Sequence, residues 1–146
     1  MRQAKRQDFP HFLELPTRWI DNDQYGHVNN VQYYSYFDTT VNSLLIQHSV
    51  LDIHTDQIVG FVVDSGCAYF SSISFPDLLH IGLRVARIGN SSVRYELAIF
   101  PNDALVPAAA GHFVHVYVDR TSNKAVALPA AVRTLLETLE RPHSVP

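Results

Sequence analysis

The chain has 146 residues, a length that fits one domain. Its 47% hydrophobic and 17% charged content argues against disorder and against an extended coiled coil, and a net charge of -3 argues against a dedicated nucleic-acid binder. The single cysteine, Cys67, excludes an intrachain disulfide or a Cys/His finger, and no apolar run reaches the ~18 residues of a membrane span.

Residues 1–8 are polar and expected to fray. Their basic residues have no apolar stretch behind them, so no signal peptide is expected and the cytoplasm is the expected compartment. FLELPTRW alternates apolar and polar positions as a half-buried strand does, and Pro16 marks an edge strand or the strand's end. IDNDQYGHVNN reads as an ordered loop, with Asn29 or Asn30 as N-cap of the next helix. From there Tyr33, Tyr34, Phe37, Val41, Leu44, Leu45 and His48 recur at three- and four-residue spacing, which predicts a helix of roughly five turns with one apolar face.

Ile58 to Phe75 is Val-, Phe- and Ile-rich with Gly60 and Gly66 inside, the pattern of a long bent strand. LHIGLRVARIG and SSVRYELAIF predict a hairpin turning at Gly89-Asn90. LVPAAAGHFVHVYVDR predicts another long strand, and ALPAAVRTLLETLE a short amphipathic helix with Pro129 near its first turn. The order is β–α–β–β–β–β–α. Tight turns between the later strands imply antiparallel neighbours, and one sheet wrapped around one apolar helix buries both. A single α+β domain is expected over 1–146.

Familiar catalytic motifs are missing: there is no GxSxG, GxxxxGK, GxGxxG or HExxH. Eight histidines invite a metal site, but His112 and His115 are three apart on a strand and point to opposite faces, so none is expected. Cys67 lies in an apolar strand and reads as a buried, inert thiol. Asp64, inside FVVDSGC, is expected on the outer face of the sheet.

The loop before the long helix is where chemistry concentrates. Asp21, Asp23, His27, Asn29 and Asn30 stand immediately ahead of a helix N-terminus, whose free amides can polarise a carbonyl and stabilise an oxyanion. A carboxylate beside such an end can attack the carbonyl or activate water. The competing reading is that these residues are caps and turn formers. A second feature is charge asymmetry. No Lys or Arg occurs between Trp19 and Leu83, and then Arg84, Arg87 and Arg94 fall within eleven residues. With Gly89, Ser91 and Ser92 they could grip phosphates, or form a solvated hairpin edge. Arg84 and Arg87 differ in strand parity, so they share a face only if a bulge intervenes.

The segment RWIDNDQYGHVNNVQYYSYFD resembles the signature of hotdog-fold thioesterases of the 4-hydroxybenzoyl-CoA thioesterase type. The later strand blocks resemble that family in the same order. A similar HVNN stretch occurs in acyl-ACP thioesterases, although Tyr25 replaces their usual Asn. The resemblance implies a hotdog fold, an antiparallel sheet wrapped around one long central helix. It implies hydrolysis of an acyl-CoA thioester, with acyl-ACP hydrolysis or non-catalytic acyl-CoA binding as alternatives. The expected catalytic set is Asp23 as nucleophile or general base, an oxyanion site near Asn30, and His27 and Asn29 holding the loop or a water. Substrate contacts are expected from Tyr25, Gly26, Val28 and Tyr33, and from Arg87, Gly89, Ser91, Ser92 and Arg94 on the CoA arm. Tyr33, Tyr34 and Phe37 either wall the acyl pocket or are core. CoA would lie across a subunit interface of a homodimer or dimer of dimers, with no metal or separate cofactor, no nucleic acid and no membrane partner.

Overall fold

The computed structural model describes residues 1–141; the tail 142–146 of the expected domain lies outside the described residues. The elements are β1 (His11–Pro16), α1 (Asn30–Gln47), β2 (Ile58–Tyr69), β3 (Leu78–Ile88), β4 (Ser92–Pro101), β5 (Ala109–Asp119) and α2 (Ala130–Thr138). The strands form one antiparallel sheet in the order β1-β3-β4-β5-β2, so β1 and β2 are its edges. Pro16, which has no N–H to donate, sits at the end of an edge strand, where that costs nothing.

α1 lies across the inner face. Phe37, Val41 and Leu44 are fully buried against Leu83, Val85, Tyr95, Leu97 and Ile99, which project from β3 and β4 on the strand period of two. Of the predicted apolar stripe, Tyr33 and Leu45 are also buried, Tyr34 is half-buried, and His48 is instead the exposed C-cap. Pro129 caps α2 as expected of a residue without a useful N–H. Beyond α2, Val85 donates to the Leu139 carbonyl and accepts from the Arg141 amide, so the chain end covers the edge that β3 exposes past β1.

Part of the 1–8 segment, expected to fray, packs on the sheet in this structure. Ala4 and Phe9 are buried on the outer face of the sheet with Ala98, Phe100 and Ala110, a second apolar cluster opposite α1. Phe9 rests on Gly82, where a Cβ would stand 2.7 Å from the ring. Arg6 donates to the Ala104 and Asn102 carbonyls at 2.8 and 2.7 Å. The outer strand faces are apolar here, and burying them outweighs the entropy of a free end.

β2 bends at a bulge between Val62 and Asp64, as its glycines and length predict. β3 carries a second bulge between Val85 and Arg87.

Candidate active site

Residues 17–29 form an anchored loop that delivers the chain into α1. The Thr17 amide and hydroxyl both donate to the Asp77 carbonyl. Asp21 is buried. It accepts from the Arg18 amide at 2.9 Å, the Arg18 guanidinium at 2.8–3.0 Å and the Tyr36 hydroxyl at 2.7 Å. Burial pushes its carboxyl up, but those three donors together prevail and hold it below the usual carboxylate range. Tyr36 is pushed well above the ordinary phenol range by burial and by that carboxylate.

Asp23 opens a tight turn. Its amide donates to the His27 carbonyl at 2.8 Å, its carbonyl accepts from Gly26, and Oδ1 accepts from the Tyr25 amide at 2.8 Å. Gly26 has φ +81°, a left-handed conformation that L side chains rarely adopt, which is why glycine occupies this corner. Asn22 and Val28 bridge across the base of the turn, and Asn22 Oδ1 accepts from the Phe75 amide. Half-buried Asp23 keeps Oδ2 without a hydrogen bond among the described residues.

Accounting for the amides narrows the expected oxyanion site. Val28 donates to the Ile73 carbonyl, Asn29 to the Asp21 carbonyl, and Val31 to the Asn29 side chain. Of the Val28–Val31 amides, that of Asn30 is left without an acceptor among the described residues. Asn29 thus holds the loop as N-cap, in agreement with the sequence. Among the described residues the exposed His27 imidazole makes no hydrogen bond; it is the main chain of His27 that closes the turn.

A recess at this helix end is lined by His27, Val28, Asn30 and Tyr33 from the loop and helix and by residues 69–72 after them. Tyr69 meets Tyr33 edge-on at 4.9 Å. Tyr33 therefore serves both as core and as wall. Tyr25 does not line the recess and is 77% exposed. Tyr69 and Ser71 escaped the sequence reading: forty residues separate them from the loop, and nothing in AYFSS announces that the end of β2 folds back beside α1. Burial pushes the half-buried Cys67 thiol up, against a reactive role.

The arginine hairpin lies elsewhere on the chain. β2 and β5 pair Tyr69 with Ala109, whereas Ser92 opposes Val116, so Gly89 and the helix N-terminus sit at opposite ends of the sheet. The β3 bulge answers the parity question. Arg84 opposes Glu96 and Arg87 opposes Arg94, which sets all four on the outer face. Arg84 is occupied: it meets Glu96 at 2.9 Å and stacks on Phe9. Arg87 and Arg94 are the cations more open to an anion, although Arg94 also lies 3.7 Å from Glu96. Gly89 turns the hairpin through its amide to the Ser92 carbonyl, and Ser91 and Ser92 are half-buried beside it. Asp64 is on the outer face as expected, 2.9 Å from His112, while His115 points inward. No helix of the described residues is long and apolar enough to cross a membrane.

Known proteins are similar to this chain in sequence or in structure. YsmA, an uncharacterized protein of Bacillus subtilis strain 168, is 26% identical over 125 residues, 86% of this chain and 84% of its own. The crystal structure of PA5185 from Pseudomonas aeruginosa strain PAO1 matches with a TM-score of 0.91 at 51% identity, over 93% of this chain and 95% of that one. Slr0204, a 1,4-dihydroxy-2-naphthoyl-CoA thioesterase from Synechocystis, has the same fold with a TM-score of 0.81 at 18% identity, over 90% of this chain and 98% of its own. The Thioesterase-like superfamily profile matches residues 16–136, from the end of β1 into α2. The chain belongs to that superfamily.

Proposed function

We propose that the protein is a hotdog-fold thioesterase that hydrolyses an acyl-CoA thioester to a free carboxylic acid and CoA. The observation that carries this reading is that, among the described residues, the anchored loop leaves an Asp23 carboxylate oxygen without a partner seven residues ahead of a helix-end amide, at Asn30, without an acceptor. The thioester carbonyl accepts from the Asn30 amide. Asp23 either takes a proton from the attacking water or attacks the carbonyl carbon itself, giving an anhydride that water opens. Collapse of the oxyanion expels the CoA thiolate, which takes up the proton. No separate cofactor enters this scheme, since CoA is part of the substrate.

The working unit we propose is a homodimer, alone or paired into a dimer of dimers. β2 is an edge strand with Phe61, Val62 and Val63 about half exposed, an uncovered apolar border. Antiparallel pairing of two β2 strands would set the Tyr69 end of one beside the Ile58 end of the other. It would thereby bring one subunit's helix N-terminus to the end of the sheet that carries the partner's arginine hairpin, with the CoA phosphates on Arg87 and Arg94. A panel of acyl-CoA esters with free-thiol release as readout tests the activity; release from no member of the panel overturns it.

A further inference from the structure

The turn that carries Asp23 is tied at its base to one other segment, residues 73–77, which runs between β2 and β3. On one side of the turn the Val28 amide donates to the Ile73 carbonyl at 2.8 Å. On the other, Asn22 Oδ1 accepts from the Phe75 amide at 3.0 Å. Where the loop leaves β1, the Thr17 amide and hydroxyl reach the Asp77 carbonyl at 3.1 and 2.6 Å. The position of this segment is thus passed to the loop at three places.

The segment has no regular secondary structure of its own. Its inner end is held by Ile73, which is 1% exposed. Phe75 and Pro76, further along, are exposed. The outer end is held by the Asp77 side chain. Oδ2 accepts from the Ser74 amide at 3.0 Å, while the Asp77 amide donates to the Ser74 carbonyl at 2.8 Å. Oδ1 accepts from Asn102 Nδ2 at 3.0 Å, a charge-assisted bond to the connection between β4 and β5. Asn102 is itself fixed, in a left-handed conformation with φ +53°. Its amide and Oδ1 pair with the Leu78 main chain at 2.7 and 3.0 Å, and its carbonyl accepts from Arg6 at 2.7 Å. Asp77 therefore spends both carboxylate oxygens on fastening the segment, and it is not among the residues that line the recess.

We propose that Asp77 is a positioning residue for the hydrolysis: through residues 73–77 it fixes where Asp23 stands relative to the N-terminus of α1. The inference rests on the thioesterase reading and adds a residue to it. Opening the clasp frees the outer end of the segment and loosens its hold on Asn22 and Thr17. The Asp23 turn can then shift while α1, packed in the core by Phe37, Val41 and Leu44, stays in place. A misplacement of about 1 Å in a reacting group is enough to cost about 10² in rate.

The test is a double-mutant cycle in the full chain. Thiol release from an acyl-CoA is the readout, and active sites are counted by calorimetry with the corresponding non-hydrolysable thioether. Asp77→Ala should lower kcat per active site by about tenfold to a hundredfold, with KM within about twofold. Asp77→Asn keeps an oxygen for the Ser74 amide and should fall between that variant and the wild type. In the Asp23→Asn background, Asp77→Ala should lower kcat by less than about twofold, because the group it positions has gone. A residue that only stabilises the fold would cost the same factor in both backgrounds; that outcome, or a wild-type kcat in Asp77→Ala, overturns the proposal. If Asp77→Ala does not fold, Asn102→Gly opens the clasp from the other side, keeps the left-handed backbone and enters the same cycle. Should the wild type release no thiol, the thioesterase reading falls and amide exchange decides on Asp77. Faster exchange at Asp23, Val28 and Asn29 in Asp77→Ala, with the sheet amides unchanged, upholds its hold on the loop, and unchanged exchange at those three overturns it.

Discussion

Tyr36 donates its hydroxyl hydrogen to the buried carboxylate of Asp21 at 2.7 Å, tying the second turn of α1 to the loop that carries Asp23. Fifteen residues separate the two, and the bond sets how the loop meets the helix. Tyr36→Phe keeps the ring and removes this charge-assisted bond, so it should cost about 1.5–3 kcal/mol. Asp21→Ala should cost more, since it strips partners from Tyr36 and Arg18 together. The folded carboxyl of Asp21 titrates below its unfolded value. Its contribution is therefore complete above the unfolded pKa and lost as pH falls through the folded one. Thermal melts of wild type and Asp21→Asn from neutral to acid pH should converge at the acid end; parallel curves would remove Asp21 from the account.

Asp23→Asn should reduce kcat by about 10²–10⁴ while leaving the melting temperature nearly unchanged. The Asn oxygen can still accept from the Tyr25 amide, so the turn survives. Only the charge and basicity go. Steady-state thiol release on purified protein measures it, and turnover equal to wild type would refute the assignment.

The loop signature, the cap at Asn29 and every strand but the details of β2 and β3 are legible in the sequence, because each rests on local pattern. Other features are not, for one reason: they depend on what lies across the sheet. The docking of Phe9 on Gly82 is set by an apolar outer face that alternation leaves ambiguous. The Asn30 amide emerges only after the acceptors from Asp21 and Ile73 are placed, and Ile73 is forty-five residues from the amide it satisfies at Val28. The bulge that aligns Arg84 with Arg87 has no residue signature of its own in RVARIG.

Arg87→Ala and Arg94→Ala should raise KM for full CoA esters with little change in kcat. Contacts to remote phosphates bind ground and transition states alike. A truncated pantetheine thioester lacks the phosphates and should respond to neither substitution. Equal responses to both substrates would place the nucleotide elsewhere.

Phe9→Ala should destabilise the protein by about 3 kcal/mol, the low end for an aromatic truncation, since the ring is 4% exposed but at the periphery. Chemical denaturation measures it. A loss within error of zero would mean that the N-terminal segment is not held.

Sedimentation velocity over a dilution series should show a dimer or tetramer and no fully active monomer. A sharp species near 16.5 kDa retaining full specific activity would exclude both the dimer and any site shared across β2.

Ala86 works as a phase shifter in the β3 ribbon. Upstream of it, odd-numbered side chains such as Leu83 and Val85 face α1; downstream, odd-numbered Arg87 faces away from it. One residue thus decides the side on which the whole hairpin tip presents its charge. If Ala86 instead took a paired place opposite Arg94, Arg87 would swing toward the helix and Ile88 toward the outer face; excision of Ala86 would close the ladder and leave both where they are. For this stretch of the chain, the electrostatic face is set by leaving Ala86 out of the ladder, which keeps Arg87 in step with Arg94.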